Sequence, residues 1–374
     1  MELSFSKIIG QGLAVRVLRR AVSEGKPARA YLFLGLEGTG KLTTAIEFGK
    51  GLNCEDPRDG NACGECAICH AVEHENFPDM RVWSKTRQVT SIDSMREMRD
   101  QALLKPLRGR WMVNIVEEGD TLNEEAASCI LKLLEEPPPH VVNILLYRNA
   151  ANVMPTIRSR CQLVRFGRVE AGALTERLIE EHGADPSEAA FLATYSQGRP
   201  GIAIRLIGDQ EFRRRRESVA AVALAAAPSL GKRGLQGGWA ALALAEALRS
   251  KAAATNDGPD EDEDEAAALG PSPSLPRGGT ADAAARSGAR QAASEALDML
   301  LIWYRDLIAT KLQGENAAVV NSDMRAQLLE QSARYPHAGP LLTALEAILR
   351  AKRRVQGNAV PQIVTEALMV RLTR

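Results

Sequence analysis

The chain has 374 residues, enough for two or three domains with hydrophobic cores of their own. Lys plus Arg and Asp plus Glu both number 47, so no net charge draws the molecule to nucleic acid or a membrane, and any such contact must come from a local patch. The sequence shows no apolar run of about 18 residues and no charged-then-apolar leader; the expectation is a cytoplasmic protein without a membrane partner. Six cysteines in such a chain favour metal or free thiols over disulfides, and 4% aromatics beside abundant Ala, Leu and Arg suit a helix-rich protein.

Phe5-Ser6-Lys7-Ile8-Ile9-Gly10-Gln11 opens the chain. An amphipathic helix follows, with Leu13, Val15, Val17, Leu18 and Ala21 as its apolar side and Arg19, Arg20, Ser23 and Glu24 opposite. Tyr31-Leu32-Phe33-Leu34 then reads as a buried strand running into Gly35-x4-Gly40-Lys41, with a helix over Thr43 to Gly49. Strand, glycine loop and helix N-terminus together form a phosphate cradle, in which Gly35, Gly38 and Gly40 let the backbone wrap the anion and Lys41 reaches the outer phosphates. A bare glycine turn between strand and helix is the plain alternative. One position departs from the P-loop pattern: the Ser or Thr whose hydroxyl ligates Mg²⁺ is replaced by Leu42. Thr43 comes one residue late, about 100° further round the helix.

Cys54-x8-Cys63-x2-Cys66-x2-Cys69 follows, with Pro57, Gly60 and Gly64 bending the loop. Four thiols at this spacing read as a closed tetrahedral, structural zinc site, against the plainer reading of four unliganded thiols. His70 and His74 are expected on the surface of the next helix. Further on, the largely apolar stretch Arg110-Trp111-Met112-Val113-Asn114-Ile115-Val116 reads as a strand running into Glu117-Glu118-Gly119-Asp120, a Walker B arrangement of strand and carboxylates. Asn123 is placed to cap a helix that Pro137-Pro138-Pro139 stops, with Ala126, Ile130, Leu133 and Leu134 as its buried stripe; Cys129 reads as a small core residue. A strand over Val141–Leu146 leads to Tyr147-Arg148-Asn149, and then comes Met154-Pro155-Thr156-Ile157-Arg158-Ser159-Arg160-Cys161.

After Phe166 short helices are expected over Leu174–Glu181 and Pro186–Tyr195, with a third opened by Gln197-Gly198-Arg199-Pro200-Gly201. The arginine tetrad Arg213–Arg216 reads as a solvated helix face rather than a DNA site. Lys251 to Gln291 holds an unbroken acidic run and a Pro-Ser-Pro-Ser stretch, the composition of a disordered insertion. Helices are expected again over Ala292–Leu312, with Leu297, Leu300, Leu301, Tyr304 and Leu307 inward, then Asp323–Ser332, Ala338–Val355 and Val360–Leu372.

These stations resemble bacterial clamp-loader subunits of the AAA+ superfamily. The resemblance is carried by Ile8-Ile9-Gly10-Gln11, by Ala30-Tyr31-Leu32-Phe33 before the P-loop, by the four cysteines, and by Asn123 to Pro138 almost residue for residue. It implies an α/β fold: an AAA+ P-loop domain with a parallel sheet over 1–166 and a zinc module inserted at 54–69. A small helical lid over 167–208 and an all-α collar domain over 209–374 would follow, the collar interrupted at about 251–290. In such proteins the Walker B pair reads Asp-Glu; here Glu117 and Glu118 stand in its place, and Glu117 carries an extra methylene toward a metal that demands near-ideal geometry. Asn149 falls at the sensor-1 position and Arg199 near sensor 2. Ser159-Arg160-Cys161 matches the arginine-finger motif, whose arginine completes a neighbouring subunit's ATP site. The resemblance thus implies structural Zn²⁺ and a degenerate ATP or ADP site formed by Gly35, Gly38, Gly40, Lys41, Thr43, Glu117, Glu118, Asn149 and Arg199. It further implies a hetero-pentamer with gamma/tau-type ATPases and delta, acting on a sliding clamp and primed DNA. An active motor subunit and a zinc-binding scaffold with a dead AAA+ module remain the alternatives; Leu42 and Glu117 weigh against the first and Arg160 against the second.

Overall fold

The computed structural model describes residues 4–84, 92–226, 280–357 and 359–372, with backbone alone at 4 and 280–287. Met1–Ile207 and Gly208–Arg374 form two compact units.

The first unit is built on five parallel strands, β1 (Ala30–Leu34), β2 (Met80–Trp83), β3 (Met112–Val116), β4 (Val141–Tyr147) and β5 (Gln162–Arg165), in the order β2-β3-β4-β1-β5. Central strands of a parallel sheet are covered on both faces, and β1 and β4 are apolar almost throughout. Side chains still alternate. Tyr31 and Phe33 of β1, Val113 and Ile115 of β3, and Val142, Ile144 and Leu146 of β4 pack on one face with helices α1 (Gly12–Ser23) and α2 (Lys41–Asn53). Leu32, Val116, Val141, Leu145 and Tyr147 pack on the other with α4 (Ile92–Ala102) and α5 (Glu124–Glu135). A short helix, α3 (Ala67–Glu73), follows the cysteine loop. On the second face a polar chain threads the core: Trp83 Nε1 donates to Asn114 Oδ1 at 3.2 Å, and Asn114 Nδ2 donates to Asn143 Oδ1 at 3.2 Å.

Asn123 caps α5, its side-chain oxygen accepting from the Ala126 amide at 2.8 Å. Ala126, Ile130, Leu133 and Leu134 are buried, and Ala127 joins them. Each of the larger three contributes about 1.5–3 kcal/mol through burial. The expected apolar side of α1 is corrected: Ala14, Leu18 and Val22, spaced four apart, are the buried residues, while Leu13 is 68% exposed. Leu13 lies about 140° round the helix from Leu18, so the two cannot share a face. The P-loop helix is longer than the expected Thr43–Gly49, starting at Lys41 and running to Asn53. Helix α6 (Pro155–Arg158) precedes β5, and the helices α7 (Ala171–His182), α8 (Pro186–Tyr195) and α9 (Pro200–Leu206) complete the unit.

The second unit is helical among its described residues: α10 (Gln210–Ala225), α11 (Thr280–Gln313), α12 (Arg325–Ala333), α13 (Gly339–Gln356) and α14 (Pro361–Leu372). Leu297, Leu300, Trp303, Tyr304 and Leu307 bury one side of α11; Leu301 is only partly covered. The carboxylate of Asp306, fully buried, accepts from the amides of Val320 and Asn321 at 3.0 and 2.8 Å and fixes the loop after α11. Two expectations need correction here. The insertion at 251–290 lies outside the described residues up to 279, but its last part is helix, since α11 begins at Thr280 in an alanine-rich stretch of high helix propensity. The tetrad Arg213–Arg216 is not wholly solvated. Arg215 is buried between Glu211 (2.5 Å) and Glu295, and Arg216 pairs with Asp323 at 2.6 Å, because their helical phase turns them toward α11 and the loop before α12.

Candidate functional site

The C-terminal ends of β1, β3 and β4 face one cleft of about 390 Å³, the place where open parallel sheets bind ligands. Gly38, Gly40 and Lys41 line it from the loop after β1. Gly40 caps α2 with φ +89°, a left-handed conformation that a side chain would strain. The Lys41 ammonium, 8% exposed as a residue, donates to the carbonyls of Gly35 and Leu36 at 2.6 and 2.8 Å. Burial, and then the nearby Arg148 guanidinium, lower its pKa to about 8, with Asp120 and Glu37 opposing.

In the first turn of α2, Leu42 and Thr43 both border the cleft. Leu42 presents only hydrocarbon at the position after the lysine and packs its inner side against the core. Glu117 and Glu118 enter from the end of β3. Glu117 Oε2 accepts from Ser84 Oγ at 2.6 Å, and Glu118 Oε1 lies 3.1 Å from Arg148 Nη2. Gly119 is required by its neighbour: a Cβ there would stand 2.2 Å from the Tyr147 ring. Asp120 accepts from the Arg148 amide at 2.5 Å and from Asn152 Nδ2 at 3.1 Å, so it braces the turn after β4 rather than entering the cleft.

Two of the predicted positions point elsewhere. Asn149 does not border the cleft: β4 continues through Tyr147, Arg148 takes the inward position, and the Asn149 side chain accepts from the Ala151 amide at 3.0 Å to cap a short turn. Arg199 precedes α9 and donates to the Ser196 carbonyl at 2.8 Å; Arg205, almost two turns further on, borders the cleft instead. Gly201 also lines it, and its amide donates to the Gly38 carbonyl at 2.9 Å, fastening α9 to the P-loop. Sequence reasoning missed Arg148, Arg205 and Glu37. Arg148 was the more legible of these, an arginine directly after a strand that ends at the phosphate loop.

Ser159-Arg160-Cys161 lies away from this cleft's lining, after α6. Arg160 Nη2 lies 2.5 Å from Glu135 Oε1, and its Nη1 donates to the Thr156 carbonyl at 2.9 Å and to Ser159 Oγ at 3.0 Å. The Arg160 side chain keeps 34% of its exposure. Cys161 and Cys129 pack partly buried against the second core face, where burial pushes the Cys161 thiol up to about 12.

Cys54, Cys63, Cys66 and Cys69 converge, all four sulfurs within 4.8 Å of one another. Cys69 Sγ lies 3.8 Å from Cys54 Sγ and 3.9 Å from Cys63 Sγ. With Zn–S bonds of about 2.3 Å, the edge of a tetrahedron is about 3.8 Å, so the geometry fits zinc. Backbone amides point at the sulfurs: Cys63 at Cys54 (3.2 Å), Glu65 and Cys66 at Cys63 (3.4 Å each), and Cys69 at Cys66 (3.4 Å). Such donors favour thiolates. Burial pushes up the Cys54 and Cys69 thiols, whereas at Cys63 burial is outweighed by the Glu65 and Cys66 amides, giving about 7. His70 and His74 are exposed and take no part, His74 Nδ1 lying 2.8 Å from the His70 carbonyl oxygen. When bound, the ion would crosslink the loop between α2 and α3 and supply no chemistry of its own.

Residues 10–170 match the model of a protein family described as "DNA polymerase III, delta subunit". The DNA polymerase III subunit tau/gamma of Haemophilus influenzae is 34% identical over 179 residues, 48% of this chain and 25% of the relative. Subunit tau of Bacillus subtilis is 33% identical over 174 residues (46% and 31%), and subunit gamma of Buchnera aphidicola subsp. Schizaphis graminum is 35% identical over 212 (54% and 57%). The chain thus spans between 25% and 57% of the length of these relatives. A DNA polymerase III gamma subunit-related protein from Thermotoga maritima aligns over 96% of this chain and 98% of its own at 16% identity, with a TM-score of 0.44. Among the described residues no helix is long and apolar enough to cross a membrane. Strand order, P-loop cleft and the match over residues 10–170 converge: this part of the chain is similar to subunits of DNA polymerase III.

Proposed function

We propose that the chain is the non-hydrolysing, delta-prime-type subunit of a bacterial DNA polymerase III clamp loader, working in the cytoplasm. In this reading it is a stator. It donates Arg160 to the ATP site of a neighbouring gamma- or tau-type subunit, binds its partners through the helical unit beyond residue 208, and keeps one structural Zn²⁺. With delta and the ATPases it takes part in opening a sliding clamp and placing it on primed DNA.

The observation that carries this reading is Leu42. The position that should offer Mg²⁺ a hydroxyl offers methyl groups, while Glu117, displaced by a methylene, accepts from Ser84 instead. A side chain that retains about a third of its exposure, Arg160, is compatible with service to another subunit. Its contact with Glu135 is a surface ion pair worth about 0–1 kcal/mol, cheap to exchange for a phosphate. A second reading, an active tau/gamma-type subunit, is favoured by the names of the relatives above.

Steady-state ATP hydrolysis by the purified chain separates the two. The stator reading expects no turnover above that of Lys41→Ala. A rate matching the gamma-type subunits and abolished by Lys41→Ala would establish the motor reading instead.

A further inference from the structure

We propose that the P-loop cleft binds a nucleoside di- or triphosphate free of divalent cation, with Arg148 in the role that Mg²⁺ has at an intact site. The proposal rests on the non-hydrolysing reading of the same cleft and goes beyond it by naming the ionic form of the ligand.

At an intact site the metal joins the Walker B carboxylate to the phosphate oxygens. Here a guanidinium does the joining on the protein side. Arg148 Nη2 lies 3.1 Å from Glu118 and Nη1 lies 3.2 Å from Glu37 of the P-loop. These two carboxylates would otherwise repel phosphate, and Arg148 offsets them while its remaining N–H donors stay available to an anion. The position of Arg148 is fixed at its root. Its amide donates to Asp120, and the carbonyl of the preceding Tyr147 accepts from the Gly35 amide at 3.1 Å, which sets the guanidinium within a side chain's reach of the loop.

Two further cations, Lys41 and Arg205, line the cleft from the loop and from α9. The protein oxygens directed to a metal are reduced: Leu42 offers none, one oxygen of Glu117 accepts from Ser84, and one oxygen of Glu118 pairs with Arg148. A magnesium ion carried in on the nucleotide would have to displace Arg148 from Glu118 and would sit against its guanidinium. It would also occupy the phosphate oxygens that Lys41 and Arg148 would take. Free nucleotide is therefore the preferred ligand, the reverse of an ordinary P-loop.

Isothermal titration of the full chain with ADP, in EDTA and in excess Mg²⁺, tests this. Affinity is expected to be about tenfold or more higher in EDTA, the scale of one charge-assisted bidentate contact. Arg148→Gln should remove that preference and weaken binding in EDTA by a similar factor, and Arg148→Lys should restore only part of it, lacking the planar fork. Binding that is tighter in Mg²⁺, an Arg148→Gln variant indistinguishable from wild type, or no binding of ADP in either medium would each overturn the proposal. None of those results touches the non-hydrolysing reading, which fails only if the chain turns over ATP.

Discussion

Gly119→Ala is the smallest change that challenges the cleft's construction. A Cβ on Gly119 would stand 2.2, 2.6 and 2.7 Å from three atoms of the Tyr147 ring. That is more than an ångström short of ordinary carbon contact, and Tyr147, 1% exposed at the end of a central strand, has no open side to swing toward. Overpacking of this kind costs about 1–3 kcal/mol. Because the chain has two compact units, a global melt would mix their transitions; exchange of the β4 amides reports on the first unit alone. Those amides should exchange roughly 5- to 150-fold faster in Gly119→Ala. Tyr147→Leu removes the offending ring edge and is destabilising by itself, so the double variant should be less destabilised than the two singles added together. Additive effects, or an unchanged exchange rate in Gly119→Ala, would refute the steric argument.

Two other outcomes follow from the site. The purified chain should hold one Zn²⁺, and Cys66→Ser should lower that content sharply by elemental analysis; a wild-type chain prepared without chelator and free of zinc would contradict the ligand set. Lys41, with a pKa near 8 against an ordinary 10.5, binds its proton less readily folded than unfolded. The unfolded chain therefore carries the extra proton between those values, and stability should rise with pH across that window relative to Lys41→Met, measured by urea unfolding at each pH followed through NMR signals of the first unit. A wild-type-minus-variant difference that stays flat from pH 8 to 10.5 would show that Lys41 titrates normally.

What the sequence made legible is what local chemistry dictates. The glycine loop must turn sharply, four thiols at short spacing must converge, and an Asn before an apolar run must cap it; each appears in the structure where it was expected. Side-chain direction was harder to read. Whether Arg148 or Asn149 enters the cleft depends on β4 running one residue beyond Leu146, which its pairing with β1 decides and its composition does not. Arg199 and Arg205 are separated by helical phase, which was unreadable until the start of α9 was known. Strand β2 went unread because it is a short edge strand with exposed Arg81 and Val82, and β5 because its four residues, Gln162-Leu163-Val164-Arg165, make a short run with no polar–apolar alternation. Arg215 looked solvated because its partner Glu295 lies 80 residues away in sequence.

The central proposal is that this chain serves another protein's active site rather than its own. Arg160→Ala in a loader reconstituted with the proposed gamma-type and delta partners tests that most directly, because loss of a surface ion pair should change this chain's own stability by no more than about 1 kcal/mol. The account predicts a complex of normal size by gel filtration with reduced clamp- and DNA-stimulated ATP hydrolysis, since one site loses charge stabilisation in its transition state. Arg160→Lys should recover little of it. A complex carrying Arg160→Ala that assembles, hydrolyses ATP and loads clamps at the wild-type rate would reduce the Arg160–Glu135 contact to a surface ion pair and contradict the claim.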